Sequence, residues 1–165
     1  MPHMESKKPF QYIDSELMAR VADEARLSPR LRMNYNFHFS TDEPVNRLIN
    51  VMHRGSYLPV HRHLSPDRCE SSVIVRGRIG ILFYDDEGNL TSKREVGPAC
   101  DCVGFDIEPG VWHGLVVLED DTVVFEIKQG PYAPITPENL APWSPAATDT
   151  EAVEQYIKAL EAEFK

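Results

Sequence analysis

The chain has 165 residues, 42% hydrophobic and 26% charged, the make-up of one globular domain with extensions rather than of a disordered or fibrous chain. With 17 Lys and Arg against 26 Asp and Glu its formal charge is −9 and no basic stripe exists, so nucleic acid is excluded as an expected partner. Three cysteines make no disulfide framework, no run of 18 apolar residues is present, and the N-terminus MPHMESKKPF lacks the apolar core of a signal peptide. A cytoplasmic protein without a membrane partner is expected.

Residues 1–9 are polar and are expected to be a flexible N-terminus. Residues 10–30 form a helical segment. Asp14 is a good N-cap, Ile13 and Met18 are spaced for a hydrophobic staple, and Leu17, Val21 and Ala25 make one apolar stripe. Ser28-Pro29 ends it. Residues 30–40 then alternate as a strand does, with Met33, Tyr35, Phe37 and Phe39 on one face and Asn34, Asn36 and His38 on the other. A second strand spans 45–54. Further strands fall at 71–75, 78–84, 89–96, 102–107, 112–118 and 122–128, between Gly, Pro and Asp turns. Many short strands so punctuated predict a double-sheet jelly roll over residues 31–130. Five prolines between 131 and 145 make the next stretch an extended wrap, and Thr148 with Glu151 offers a capping box for a C-terminal helix within 131–165.

The chemistry concentrates in residues 55–77, GSYLPVHRHLSPDRCESSVIVRG. In a strand His61 and His63 point to one face. Glu70 opens the next strand, and His113 follows a Pro-Gly turn in EPGVWHG. Three imidazoles and a carboxylate suit a divalent transition metal, whether Fe, Mn, Ni, Co or Zn. The spacing from Gly55 through His61, His63 and Glu70 to Gly77 resembles the first cupin motif, and Pro109 to His113 resembles the second. Six residues separate His63 from Glu70, more than is common, and the usual Asn after the second motif's His is missing. The resemblance implies a cupin double-stranded β-helix, mainly β, with an N-terminal and a C-terminal helix, and a homodimer. Beyond those motifs the chain resembles the WbuC-type cupin metalloproteins, related to RmlC-like jelly rolls. Ser28-Pro29-Arg30, Arg32, Asn36-Phe37-His38, Arg47-Leu48, Gly55-Ser56-Tyr57, Gly130-Pro131-Tyr132 and Pro142-Trp143-Ser144-Pro145 carry that likeness. It implies a link to bacterial surface-polysaccharide metabolism.

Around the metal set, His38 and Tyr57 are candidates for proton transfer, and Asn36, His38 and Arg47 for binding a small-molecule ligand. Each has a plainer reading: a solvent-facing polar row for Asn34, Asn36 and His38, packing for Tyr57, a surface ion pair for Arg32 and Arg47. Arg62 points away from the histidines, and Trp112 belongs to the core by parity. Three functions fit. The first is a metal-dependent enzyme, of isomerase or dioxygenase type, acting on a sugar or similar polar metabolite. The second is a metal-dependent saccharide-binding module without turnover. The third is a metal-free sugar-nucleotide epimerase on a related jelly roll.

Overall fold

The computed structural model describes residues 8–165; the flexible segment expected over 1–9 therefore lies mostly outside the described residues. The elements run α1 (Ser15–Leu27), β1 (Arg32–Asn36), β2 (Val45–Met52), β3 (Glu70–Arg76), β4 (Ile79–Tyr84), β5 (Leu90–Val96), β6 (Gly104–Ile107), β7 (Trp112–Val117), β8 (Thr122–Gln129), a 3-10 turn (Pro137–Asn139) and α2 (Thr150–Ala162). Two antiparallel sheets face each other. One has the order β1-β2-β8-β3-β6 and the other β5-β4-β7. This is the expected jelly roll with a helix at either end.

Strand parity divides the larger sheet into a dry face and a wet one. On the dry face Ile49, Val51 and Val123 are sealed by Leu17, Met18, Val21, Ala22 and Ala25 of α1, with Met33, Tyr35, Phe37 and Phe125 packed around them. Each fully buried Val or Ile side chain there contributes about 1.5–3 kcal/mol of transfer free energy. Asp14 starts that helix as its sequence position predicts, its carboxylate accepting the Leu17 amide at 2.9 Å. The other face of the sheet carries Asn34, Asn50, Glu70, Ser72, Glu126 and Lys128, all of which line a cavity between the sheets. In the smaller sheet Ile79 and Ile81 point inward, while Leu82 and Val116 point outward under Leu160, Tyr156, Ile157 and Phe164 at the C-terminal helix.

Three local expectations are corrected. The first strand stops at Asn36 instead of running to residue 40. Beyond it the Phe37 amide still donates to the Arg47 carbonyl, but the Arg47 amide donates to His38 Nδ1 at 2.9 Å, so a side chain replaces the next rung of the ladder. The cap of α2 is Asp149, not Thr148, because the Asp149 carboxylate is the group that accepts the Ala152 amide. The histidine segment forms no regular strand. His61 makes isolated bridges to His113 on one side and Leu140 on the other.

That second bridge explains the proline-rich segment. It lies along residues 57–64 as a strap. The Arg62 amide donates to Asn139 O, the Ala141 amide to Val60 O, and the Val60 amide to Ser144 Oγ. Asn139 Nδ2 reaches Leu64 O, and the Tyr57 hydroxyl donates to Pro145 O. Trp143 packs on Trp112 and Tyr84. A segment too rich in proline to be a central strand still supplies acceptors and aromatic surface, and the histidines are held between it and β7.

Candidate metal centre

His61 and His113 face each other as an antiparallel pair, each amide donating to the other's carbonyl at 3.1 and 3.0 Å. Directly opposed residues project to one face, so their rings meet, with centroids 4.5 Å apart. His63, two residues on, brings its ring to 5.0 Å from His61 and 5.5 Å from His113. Glu70 enters from the start of β3. The four side chains offer ligand atoms that all lie within 4.8 Å of one another. The turns that aim them use glycines of both motifs. Gly55, Gly77 and Gly110 all have φ between 81° and 91°, and a Cβ on Gly77 would sit 2.8 Å from Thr122 Cα.

The ring tautomers are set by the backbone. His61 Nδ1 lies 2.9 Å from Pro59 O and His113 Nδ1 lies 2.8 Å from Val111 O. A carbonyl only accepts, so each Nδ1 carries a proton and each Nε2 is the nitrogen turned to the cluster. At the centre Glu70 Oε1 is 3.0 Å from His113 Nε2, and Glu70 Oε2 is 3.4 Å from His63 Nε2 and 3.3 Å from Lys128 Nζ. Yet His63 Nε2, His113 Nε2 and Glu70 Oε2 are buried without hydrogen-bond geometry to any partner. Leaving such atoms unsatisfied costs roughly 1–3 kcal/mol each, and more for a charge. Converging orphaned lone pairs of this kind fit a cation. Burial, followed by the nearby His113, pushes His61 down to about 3, so its imidazole is neutral and ready to ligate. Burial would raise Glu70, but its contacts with His113 and His63 and the charge of Lys128 outweigh it and hold the carboxyl well below the usual range. The donor set of three imidazoles and a carboxylate is that of a borderline divalent transition metal.

The cluster forms one wall of a cavity of about 250 Å³. Asn34 lines it with Arg32, so of the polar row of β1 only the first member meets this space, while the aromatic row faces α1. Two lining residues had no signal in the sequence beyond lying on one strand. They are Glu126, whose carboxyl is raised by burial, and Lys128, which burial would lower but which the carboxylates of Glu126 and Glu70 hold above its ordinary value. Their alternation two residues apart was legible; the cavity beneath them was not.

The other predicted site residues do not line this cavity. Asn36 is exposed at the end of β1. His38 is buried, with Nδ1 occupied by the Arg47 amide. Arg47 shares the parity of Ile49 and Val51 and pairs with Glu43 at 2.9 Å. Tyr57 donates to the strap and packs edge-on to Tyr156, and burial pushes its phenol up to about 12. Arg62 stacks 4.3 Å over Trp112, away from the histidines as parity requires.

The fold is that of a cupin-type jelly roll, and it carries a His-His-Glu-His group able to hold a metal. The family described as a domain of unknown function, DUF6016, matches residues 13–96, just over half of the chain, and the chain belongs to that family. No curated protein matches it. Among solved structures it is similar to KdgF from Halomonas sp. (18% identity, TM-score 0.50, 65% of this chain and 85% of that one). It is similar also to the capsular polysaccharide assembling protein CapF from Staphylococcus aureus (19%, 0.53, 66% of this chain but 28% of that one). An oxalate oxidase in complex with the substrate analogue glycolate is a third (14%, 0.52, 84% and 74%). At these identities the likeness is one of fold.

Proposed function

We propose that this protein is a metal-dependent cupin enzyme that acts on a small polar metabolite, with His61, His63, Glu70 and His113 as the ligands. The observation that carries the reading is the convergence of three buried ligand-type atoms, His63 Nε2, His113 Nε2 and Glu70 Oε2, none of which has hydrogen-bond geometry to a partner, at the wall of a cavity. A divalent ion held there would supply Lewis acidity, or oxygen chemistry if the ion is iron. The chain's own residues hold and orient the substrate beside it. The Pro59 and Val111 carbonyls fix the ligating tautomers, and Lys128 stays charged next to Glu70. A cavity of about 250 Å³ is below the roughly 300–1,000 Å³ of sites for drug-sized molecules, which favours a compact metabolite over a nucleotide sugar. His38 and Tyr57, the candidates for proton transfer, are both engaged with backbone groups.

The WbuC-type likeness supports a sugar-derived substrate and a place in bacterial polysaccharide metabolism, with isomerase or oxygenase chemistry. A cytoplasmic location and a homodimer belong to the same reading. Elemental mass spectrometry of protein purified without chelator tests its base. Near-stoichiometric transition metal in the parent, lost from both His61→Ala and His113→Ala, is the expected outcome. A parent that holds no metal even after reconstitution would overturn it.

A further inference from the structure

We propose that the cavity is built for an anion, so that the ligand is a small carboxylate or phosphate ester rather than a neutral sugar, with Arg32 and Arg68 as the residues that recognise its charge. The inference rests on the cavity of the proposed metal site and adds the chemical class of its ligand.

The charge of the lining is opposite to that of the chain. The whole sequence carries −9. The charged residues around this cavity are Arg30, Arg32, Arg68 and Lys128 against Glu70 and Glu126. Glu70 is already committed to the histidines and Lys128. Elsewhere Arg26, Arg47, Arg54, Arg78 and Arg94 each hold a carboxylate at 2.8–3.1 Å and Arg62 lies 3.6 Å from Asp86, while Arg20 and Arg76 form no ion pair among the described residues. Among the described residues Arg30, Arg32 and Arg68 form no ion pair. Arg32 donates through Nη1 to Tyr57 O at 2.7 Å; Arg68 donates to Pro131 O at 3.3 Å and Asp67 O at 3.0 Å. These bonds to carbonyls position the guanidinium groups without neutralising them. Arg32 is half-buried at the start of β1, and Arg68 is half-buried in the loop before β3, so the two approach from different elements. Arg30 stands exposed at the rim. Arg32 feels the Glu126 carboxyl without an ion pair to it, and Glu126 is shared with Lys128, so cation remains in excess of carboxylate in the lining. An entering anion would complete the guanidinium groups, whose forked donors match carboxylate and phosphate. Low-dielectric walls concentrate that field on whatever enters. Asn34 and Asn50 remain for hydroxyl groups.

Matched probes decide the matter on metal-loaded protein by titration calorimetry. Tartrate is compared with threitol, which has the same four-carbon skeleton and no charge, and glycerol 3-phosphate with glycerol. At least one anion is expected to bind tenfold or more tighter than its neutral partner. Because a bound metal would itself favour an anion, the second arm uses Arg32→Gln and Arg68→Gln, with metal content measured on the same samples. The anion preference should fall at least fivefold in one of them while metal is retained. If Arg32→Gln does not fold, Arg68→Gln, which loses only bonds to loop carbonyls, carries this arm. Equal binding of charged and neutral probes, or a preference unchanged by the arginine variants, would overturn the inference. An anion preference that depends on the arginines in protein that binds no metal would support it and sink the metal reading instead.

Discussion

His61 illustrates how one residue couples the site to stability. Its free imidazole takes a proton near pH 6.5, but in the fold it does so only at about 3. Between those values the unfolded chain holds the extra proton, so acid draws the equilibrium toward unfolding. Glu70 acts in the same direction lower down. Its folded carboxyl is held below the usual range, so the stability it contributes is present above about pH 4.3 and is lost as pH falls further. Metal-free protein is therefore expected to lose stability from pH 6.5 toward pH 3, with His61 adding a slope of at most ~1.4 kcal/mol per pH unit. Thermal melts in chelator between pH 4 and 7 read this directly, and His61→Ala should flatten the slope. Equal slopes in parent and variant would count against a buried neutral His61. Much of the His61, His63, Glu70 and His113 cluster was legible at this scale, because His61-x-His63 and the Pro-Gly turn before His113 constrain direction through local geometry alone. Lys128 and Glu126 were not, because nothing local distinguishes them from any alternating pair on a surface strand.

At the scale of elements, β1 shows how parity leaves a choice open. Alternation puts Asn34 and Arg32 on one face and Met33 and Tyr35 on the other, but only the placement of α1 decides which face is dry. The strand also ends on a side chain. His38 accepts the Arg47 amide where a carbonyl would otherwise stand. His38→Ala leaves that amide without its acceptor and is expected to cost about 1–3 kcal/mol, lowering the melting temperature while metal content stays unchanged. Differential scanning calorimetry paired with metal analysis checks this. Lost turnover at unchanged stability would instead return His38 to the chemistry.

Across the whole molecule, the strap of residues 131–147 is what closes the site from behind. Trp143 wedges against Trp112 and Tyr84 and lies over Gly88, where a Cβ would come within 2.9 Å of its ring. Trp143→Ala is expected to destabilise the fold by about 2–4 kcal/mol. It should also speed loss of metal to a competing chelator, because the bridges from Leu140 and Ala141 to His61 and Val60 depend on the same segment. Stopped-flow chelation of parent and variant, below the variant's melting range, separates the two effects. A destabilised variant with an unchanged rate of metal loss would show that the strap guards the fold and not the site. The homodimer expected of a cupin is a matter for sedimentation velocity on the same samples.

Local rules act over a few residues, and what they reach was determined by the sequence itself. Asp14 caps a helix because its carboxylate meets an amide three residues on, the strands alternate because successive side chains must, and the motif glycines turn where a Cβ would be strained. The tertiary structure alone decided which polar row would face a cavity. It paired a proline-rich segment with the histidine segment some 80 residues earlier, and it brought Arg32 and Arg68 from different elements to the cavity beside the cluster. Those outcomes depend on which surfaces the two helices cover, and burial of apolar area has no direction that a sequence pattern records.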